Sequence, residues 1–173
     1  MRKTLLTLGL LLAPLAHAEH PRVGAVATPI VIEDLDGKPI PVPTGVRAVV
    51  FYEDEKSGEL NLRAHKKVAE IVDRHNGKPG FDVMIVADVQ RFNYWPGKSF
   101  TLKELRRVQK AEKAPVFCDW TGGAMRGWSL ARGIPSVTVL GRDGKVQFHV
   151  EGTLTPQQVV ELETVLSSEV AQR

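Results

Sequence analysis

Few side chains in this sequence offer nucleophilic or metal-binding chemistry. Cys118 is the one cysteine among 173 residues, so no disulfide closes within the chain and no thiol pair exists to exchange electrons with a substrate disulfide. It ends the apolar run Val116-Phe117-Cys118 and precedes Asp119. A reactive thiol needs exposure and a positive neighbourhood, and this setting instead predicts a small buried hydrophobe. His65 and His75 sit on or after a polar helical face, and His149 falls on the outward phase of the alternation Val146, Phe148, Val150. None has metal-ligand spacing with another or with Cys118, so no metal or cofactor is expected; His20 with a free amine beside it would bind copper(II) only incidentally. Ser57 has no adjacent histidine to act as its base. Phe92, Tyr94, Trp95 and Phe100 fall in one loop, either as a contact surface for a ligand or partner or folded back on the core.

The rest of the chain must position these groups and fix their compartment. Arg2 and Lys3, the apolar stretch Leu5–Leu15 and Ala16-His17-Ala18 have the three-part form of a signal peptide, with cleavage predicted after Ala18. The stretch is too short for a stable span, which needs about 20 residues. Loss of Arg2 and Lys3 takes the formal charge from +3 to +1. The basic clusters 63–67 and 103–110 alternate with apolar residues at helical spacing and read as solvated faces, which excludes the concentrated basic patch of a nucleic-acid binder. The expected location is periplasmic or secreted, with membrane contact only during export.

Residues 19–29 lack periodicity and read as a tether, leaving 30–173 as one domain. Ile30–Ile32 and Ile40–Val42 flank the turn Asp36-Gly37 as a hairpin, its second arm placed at a sheet edge by Pro39, Pro41 and Pro43. Val46–Tyr52 and Phe81–Ala87 are apolar runs of strand length, as expected of strands covered on both faces. Between them Leu60, Ala64, Val68, Ile71 and Val72 mark a helix. Thr101-Leu102-Lys103-Glu104 has the form of a capping box opening a second helix. A short strand at 116–118 and a short helix at 122–130 follow, then strands 137–140 and 146–150. The last helix starts at Thr155-Pro156, threonine as its cap and proline in its first turn. This order is an α/β layered domain with a central sheet flanked by helices.

Over residues 45–168 the chain resembles thioredoxin-like proteins. The likeness is carried by Val49-Val50-Phe51-Tyr52, by Gly133-Ile134-Pro135 before an apolar strand, and by Asp143-Gly144-Lys145-Val146. Within that superfamily it is most similar to the periplasmic YtfJ-like proteins, which lack the redox cysteine pair. That likeness rests on Asp119, Gly123-Ala124, Arg126-Gly127-Trp128, Gly144–Gln147 and Gly152-x-Leu154-Thr155-Pro156. The resemblance implies a thioredoxin-like fold with a cis bond at Ile134–Pro135. It also places Lys56-Ser57-Gly58-Glu59 where active relatives carry Cys-x-x-Cys at a helix start. A peroxiredoxin cysteine would likewise follow the Phe51 strand, whereas Cys118 lies elsewhere.

These readings converge on an exported, non-catalytic binding or accessory module, with an extended peptide or another envelope protein as partner and the Pro135 loop as its contact. Two alternatives stand beside it: a single-cysteine oxidoreductase or peroxidase-like enzyme using Cys118, and a structural component of an envelope assembly held through the aromatic loop.

Overall fold

Val49, Val50, Phe51 and Tyr52 are all buried, so the strand that carries them is covered on both faces. The structure, a computed structural model, describes residues 20–75 and 80–168; the expected leader and its cleavage site lie outside these. Five elements open the domain: β1 (Ile30–Asp34), β2 (Pro39–Val42), β3 (Ala48–Glu53), α1 (Leu62–Arg74) and β4 (Asp82–Asp88). Then come α2 (Gly97–Glu112), β5 (Val116–Asp119), α3 (Gly123–Gly127), β6 (Ser136–Leu140), β7 (Val146–Glu151) and α4 (Pro156–Ser168). They build one mixed sheet in the order β2-β1-β5-β4-β3-β6-β7. The parallel pairings are β3–β4 and β4–β5; all other neighbours in the sheet pair antiparallel.

Alternation along the strands divides the core. Val49, Phe51, Val137, Val139 and Phe148 meet Ala64, Val68 and Ile71 of α1 and Leu162 and Leu166 of α4. Ile85, Ala87, Val116 and Cys118 lie under Leu102, Leu105 and Val108 of α2. The opposite face packs Val50, Tyr52, Met84 and Val86 against Trp128 and the β1–β2 hairpin. Gly127 permits that closeness, since a Cβ there would meet Cγ2 of Ile30 at 2.6 Å. Arg47, only 2 % exposed, donates to Oε1 of Gln147 at 3.0 Å and to the Leu166 carbonyl at 3.0 Å, and also to the Val165 carbonyl. One side chain thus ties the last turn of α4 to β7.

The edge position of β2 agrees with its prolines, as does the Thr155 cap, whose Oγ1 accepts from Gln158 N–H at 3.3 Å. Three expectations are corrected. Residues 24–27 are not a free tether: Gly24 N–H donates to the Val146 carbonyl at 2.8 Å, Val146 N–H to Ala25 at 2.9 Å and Ala27 N–H to Gly144 at 2.9 Å. This pairing uses backbone groups alone and leaves no apolar period to read. Helix α2 opens at Gly97 rather than at Thr101, because Lys98 N–H reaches the Tyr94 carbonyl at 2.8 Å and Ser99 N–H reaches Pro96 at 3.1 Å. The Tyr94 ring and the Phe92 carbonyl lie 2.9 and 3.1 Å from where a Cβ on residue 97 would stand, so a side chain there would have to displace the ring. Finally, the cis bonds among the described residues are Val42–Pro43 and Trp95–Pro96, and Ile134–Pro135 is trans. The chain reverses one step earlier instead, in a turn where Ile134 N–H donates to the Ala131 carbonyl at 3.3 Å and Gly133 takes a φ of +74°. That turn needs glycine at its third position.

Candidate functional site at the carboxyl ends of the parallel strands

Each of the three parallel strands ends on a carboxylate: Glu53, Asp88 and Asp119. In open α/β sheets this end is where ligands bind. All three carboxylates are engaged by the protein itself. Glu53 Oε2 lies 3.1 Å from Nε2 of His65, whose ring stacks on Phe51 with centroids 4.0 Å apart. Asp88 Oδ1 accepts from Gln90 Nε2 at 3.0 Å. Asp119, buried, accepts from the N–H groups of Gly123 at 2.8 Å, Ala124 at 3.0 Å and Met125 at 3.2 Å, and from the Tyr52 hydroxyl at 3.1 Å. Burial, with Asp119 and Asp88 nearby, pushes the Tyr52 phenol above its ordinary range, so it stays a proton donor.

The window Lys56-Ser57-Gly58-Glu59 follows β3 as the resemblance implies, with Gly58 and Glu59 opening a 3-10 turn at 58–61 ahead of α1. Ser57 Oγ accepts from Asp54 N–H at 2.9 Å, while Asp54 Oδ1 accepts from the N–H groups of Ser57 at 2.8 Å and Lys56 at 3.0 Å. Burial opposes ionisation of Asp54, but these bonds outweigh it and hold the carboxyl below its usual range. Ser57 is 2 % exposed, and its oxygen is spent closing this loop. The window is a helix start, not a nucleophile.

Beside it a groove of about 890 Å³ opens between α1 and α2, floored by Ile85, Ala87 and Val116. Leu62 and His65 line one wall, Phe100 and Leu105 the other. Its charged lining is mostly acidic, with Glu53, Asp54, Glu55, Glu59, Asp88, Glu104 and Glu112 against Lys103 and Arg107. Phe92 packs on the core under α2, but Tyr94 and Trp95 are exposed, Trp95 by 86 %; Phe100, expected in the same loop, lies instead in the first turn of α2, also exposed. The aromatic loop therefore divides between the two readings. Pro135 is buried and its carbonyl accepts from Gly152 N–H at 2.7 Å, so that acceptor is engaged within the chain; Ile134 is exposed.

Cys118 is 1 % exposed. Burial, reinforced by the Glu33 carboxylate, pushes its thiol up to about 12, far from the depressed value of a reactive cysteine. His149 departs from its expected outward position: Nδ1 lies 2.9 Å from Oγ1 of buried Thr138, and the His20 ring stands beside it with centroids 6.0 Å apart. Burial and nearby His20 lower its pKa to about 4. His20, His149 and Glu151 are the one group among the described residues whose side chains come close enough to hold a metal ion. Sequence spacing missed it, because residue 20 lies far from the other two along the chain.

No protein-family model matches the chain, and no curated protein is significantly similar to it. Solved structures match over nearly the whole fold. A Chlorobium tepidum protein provisionally named thiol:disulfide interchange protein DsbE superposes with a TM-score of 0.63 at 16 % identity, covering 86 % of this chain and 97 % of its own. A peroxiredoxin-like protein from Aquifex aeolicus gives 0.59 at 18 % identity, with 87 % and 90 % covered. A secreted disulfide oxidoreductase of Mycobacterium tuberculosis, described as homologous to DsbE of E. coli, gives 0.53 at 13 % identity, with 80 % and 94 % covered. At these identities the likeness speaks to architecture, and the architecture is the thioredoxin-like fold.

Proposed function

We propose that this chain is an exported thioredoxin-like binding or accessory module that performs no dithiol exchange. The observation that supports this is the Ser57–Asp54 loop: in the window after β3, where the resemblance implies the redox pair of active relatives, Ser57 and Asp54 satisfy each other, while an open groove lies beside them. The likeness to YtfJ-like proteins, which also lack the cysteine pair, supports the same reading. Its partner is an extended peptide or another envelope protein, held in the α1–α2 groove rather than at the Pro135 loop. Apolar walls at Leu62, Phe100 and Leu105 with a mostly acidic charged lining suit an apolar segment carrying lysine or arginine.

Photocrosslinking from position 100 in the exported fraction should trap a defined partner, and Leu62→Asp should abolish capture while leaving the fold intact. Capture unaffected by Leu62→Asp would remove the groove from the function. The expected leader is tested separately: intact mass of exported protein should correspond to a chain beginning at Glu19.

A further inference from the structure

At the end of β7, away from the α1–α2 groove, three buried polar atoms lack a hydrogen-bond partner: Ser136 Oγ, His149 Nε2 and Glu151 Oε1. They are the buried side-chain nitrogen and oxygen atoms in that condition among the described residues, and they share one patch. Ser136 faces Glu151, and Thr138 faces His149, in the β6–β7 register; His149 and Glu151, two apart on β7, project from the same face of the sheet. Leaving such atoms unsatisfied costs free energy, so a cluster of them points to an absent partner. His20 completes the patch. Its Nδ1 lies 3.6 Å from Glu151 Oε1, and its ring centroid is 6.0 Å from that of His149. One donor atom from each of these three residues falls within 4.8 Å of the others.

We propose that His20, His149 and Glu151 form a binding site for a first-row divalent transition ion, zinc(II) or copper(II). Two imidazoles and one carboxylate are a donor set for such ions, and three protein ligands leave one position for water or Ser136. Bonds of about 2.0–2.2 Å require the donors to close by roughly an ångström. His20 supplies that movement, since its side chain is 52 % exposed. The contact of 2.9 Å between Nδ1 and Thr138 Oγ1 holds the His149 ring in place; in the tautomer that carries the proton on Nδ1, this bond leaves the lone pair of Nε2 facing the patch, the arrangement by which outer hydrogen bonds fix ligating histidines. The ion would clasp the segment around His20 to Glu151, the last residue of β7.

Titration of the metal-free protein with zinc(II) and with copper(II), followed calorimetrically against a chromophoric chelator, tests the site. One equivalent should bind, with calcium(II) and magnesium(II) not competing. His149→Ala, His20→Ala and Glu151→Gln should each weaken binding at least tenfold, and Thr138→Val about tenfold through loss of orientation. His75→Ala should change nothing. Glu151→Gln and His20→Ala alter partly exposed side chains, so they carry the test if His149→Ala fails to fold. Binding of either ion with this pattern identifies the ion and supports the site. No stoichiometric binding, or copper binding that needs His20 but survives His149→Ala and Glu151→Gln, overturns it; the latter would mean a chelate made by the N-terminal segment alone.

Discussion

The Tyr52 hydroxyl donates to Oδ2 of Asp119 at 3.1 Å, joining the second-last residue of β3 to the last residue of β5 across the intervening β4. The same carboxylate receives the first three N–H groups of α3. Asp119 therefore holds the short helix that carries Trp128 against β1.

Removing it should be costly. Asp119→Ala leaves three helix N–H groups and the phenol without their acceptor, and hydrogen bonds to charged groups are worth about 1.5–3 kcal/mol each. Urea denaturation should show a loss of at least about 2 kcal/mol. Tyr52→Phe deletes one donor and leaves Asp119 its backbone partners, so about 1 kcal/mol is expected. If Tyr52→Phe costs as much as Asp119→Ala, the phenol and not the helix cap is the important contact.

Arg47 invites a second test. Arg47→Met keeps the buried stem but strands the Val165 and Leu166 carbonyls at the end of α4. A loss of about 2 kcal/mol is expected, accompanied by faster amide exchange in the last turn of α4. Unchanged exchange there would mean the helix end is held by apolar packing through Leu162 and Leu166.

What could be read in the sequence was what is locally encoded. The Thr155-Pro156 helix start needs only neighbouring residues, and the apolar runs at 46–52 and 81–87 needed only the rule that doubly covered strands are apolar throughout. The start of α2 was missed because Tyr94 folding over Gly97 sets it, while Thr101 and Glu104 lie inside the helix with their capping pattern unused. His149 was placed outward on the assumption that one face of β7 meets solvent; the β6–β7 register instead sets it opposite buried Thr138, with the His20 ring beside it. The trans Ile134–Pro135 bond could not be read from a family likeness, since the Gly133 turn does the reversing here.

A third prediction concerns activity. With Ser57 buried and hydrogen-bonded in the loop, the protein should not accelerate insulin reduction by dithiothreitol above background. Converting Lys56 and Glu59 to cysteine would flank the existing Ser57-Gly58 with thiols at the start of the 3-10 turn. Detectable exchange in that double variant would show that the scaffold is intact and that only the thiols are missing. Activity in the unmodified chain would contradict the proposed function.

Cys118 gives the last prediction, a dependence on pH. Folding takes its thiol from an ordinary value of 9.0 up to about 12, chiefly through burial and secondly through Glu33. The native state therefore keeps the proton that the unfolded chain releases first. The stabilisation is fully present below pH 9 and is lost as pH rises from 9 toward 12, since there the folded state binds more protons than the unfolded one. The stability advantage of the native chain over Cys118→Ala should accordingly shrink across that window and stay constant between pH 6 and 8. At pH 8 the thiolate fraction lies far below that of an unperturbed cysteine, so labelling by iodoacetamide should be markedly slower, unless it proceeds through transient unfolding, in which case the rate will rise with urea. Labelling at the rate of free cysteine in the absence of denaturant would show Cys118 to be accessible, and would bring the single-cysteine enzyme forward as the function of this fold.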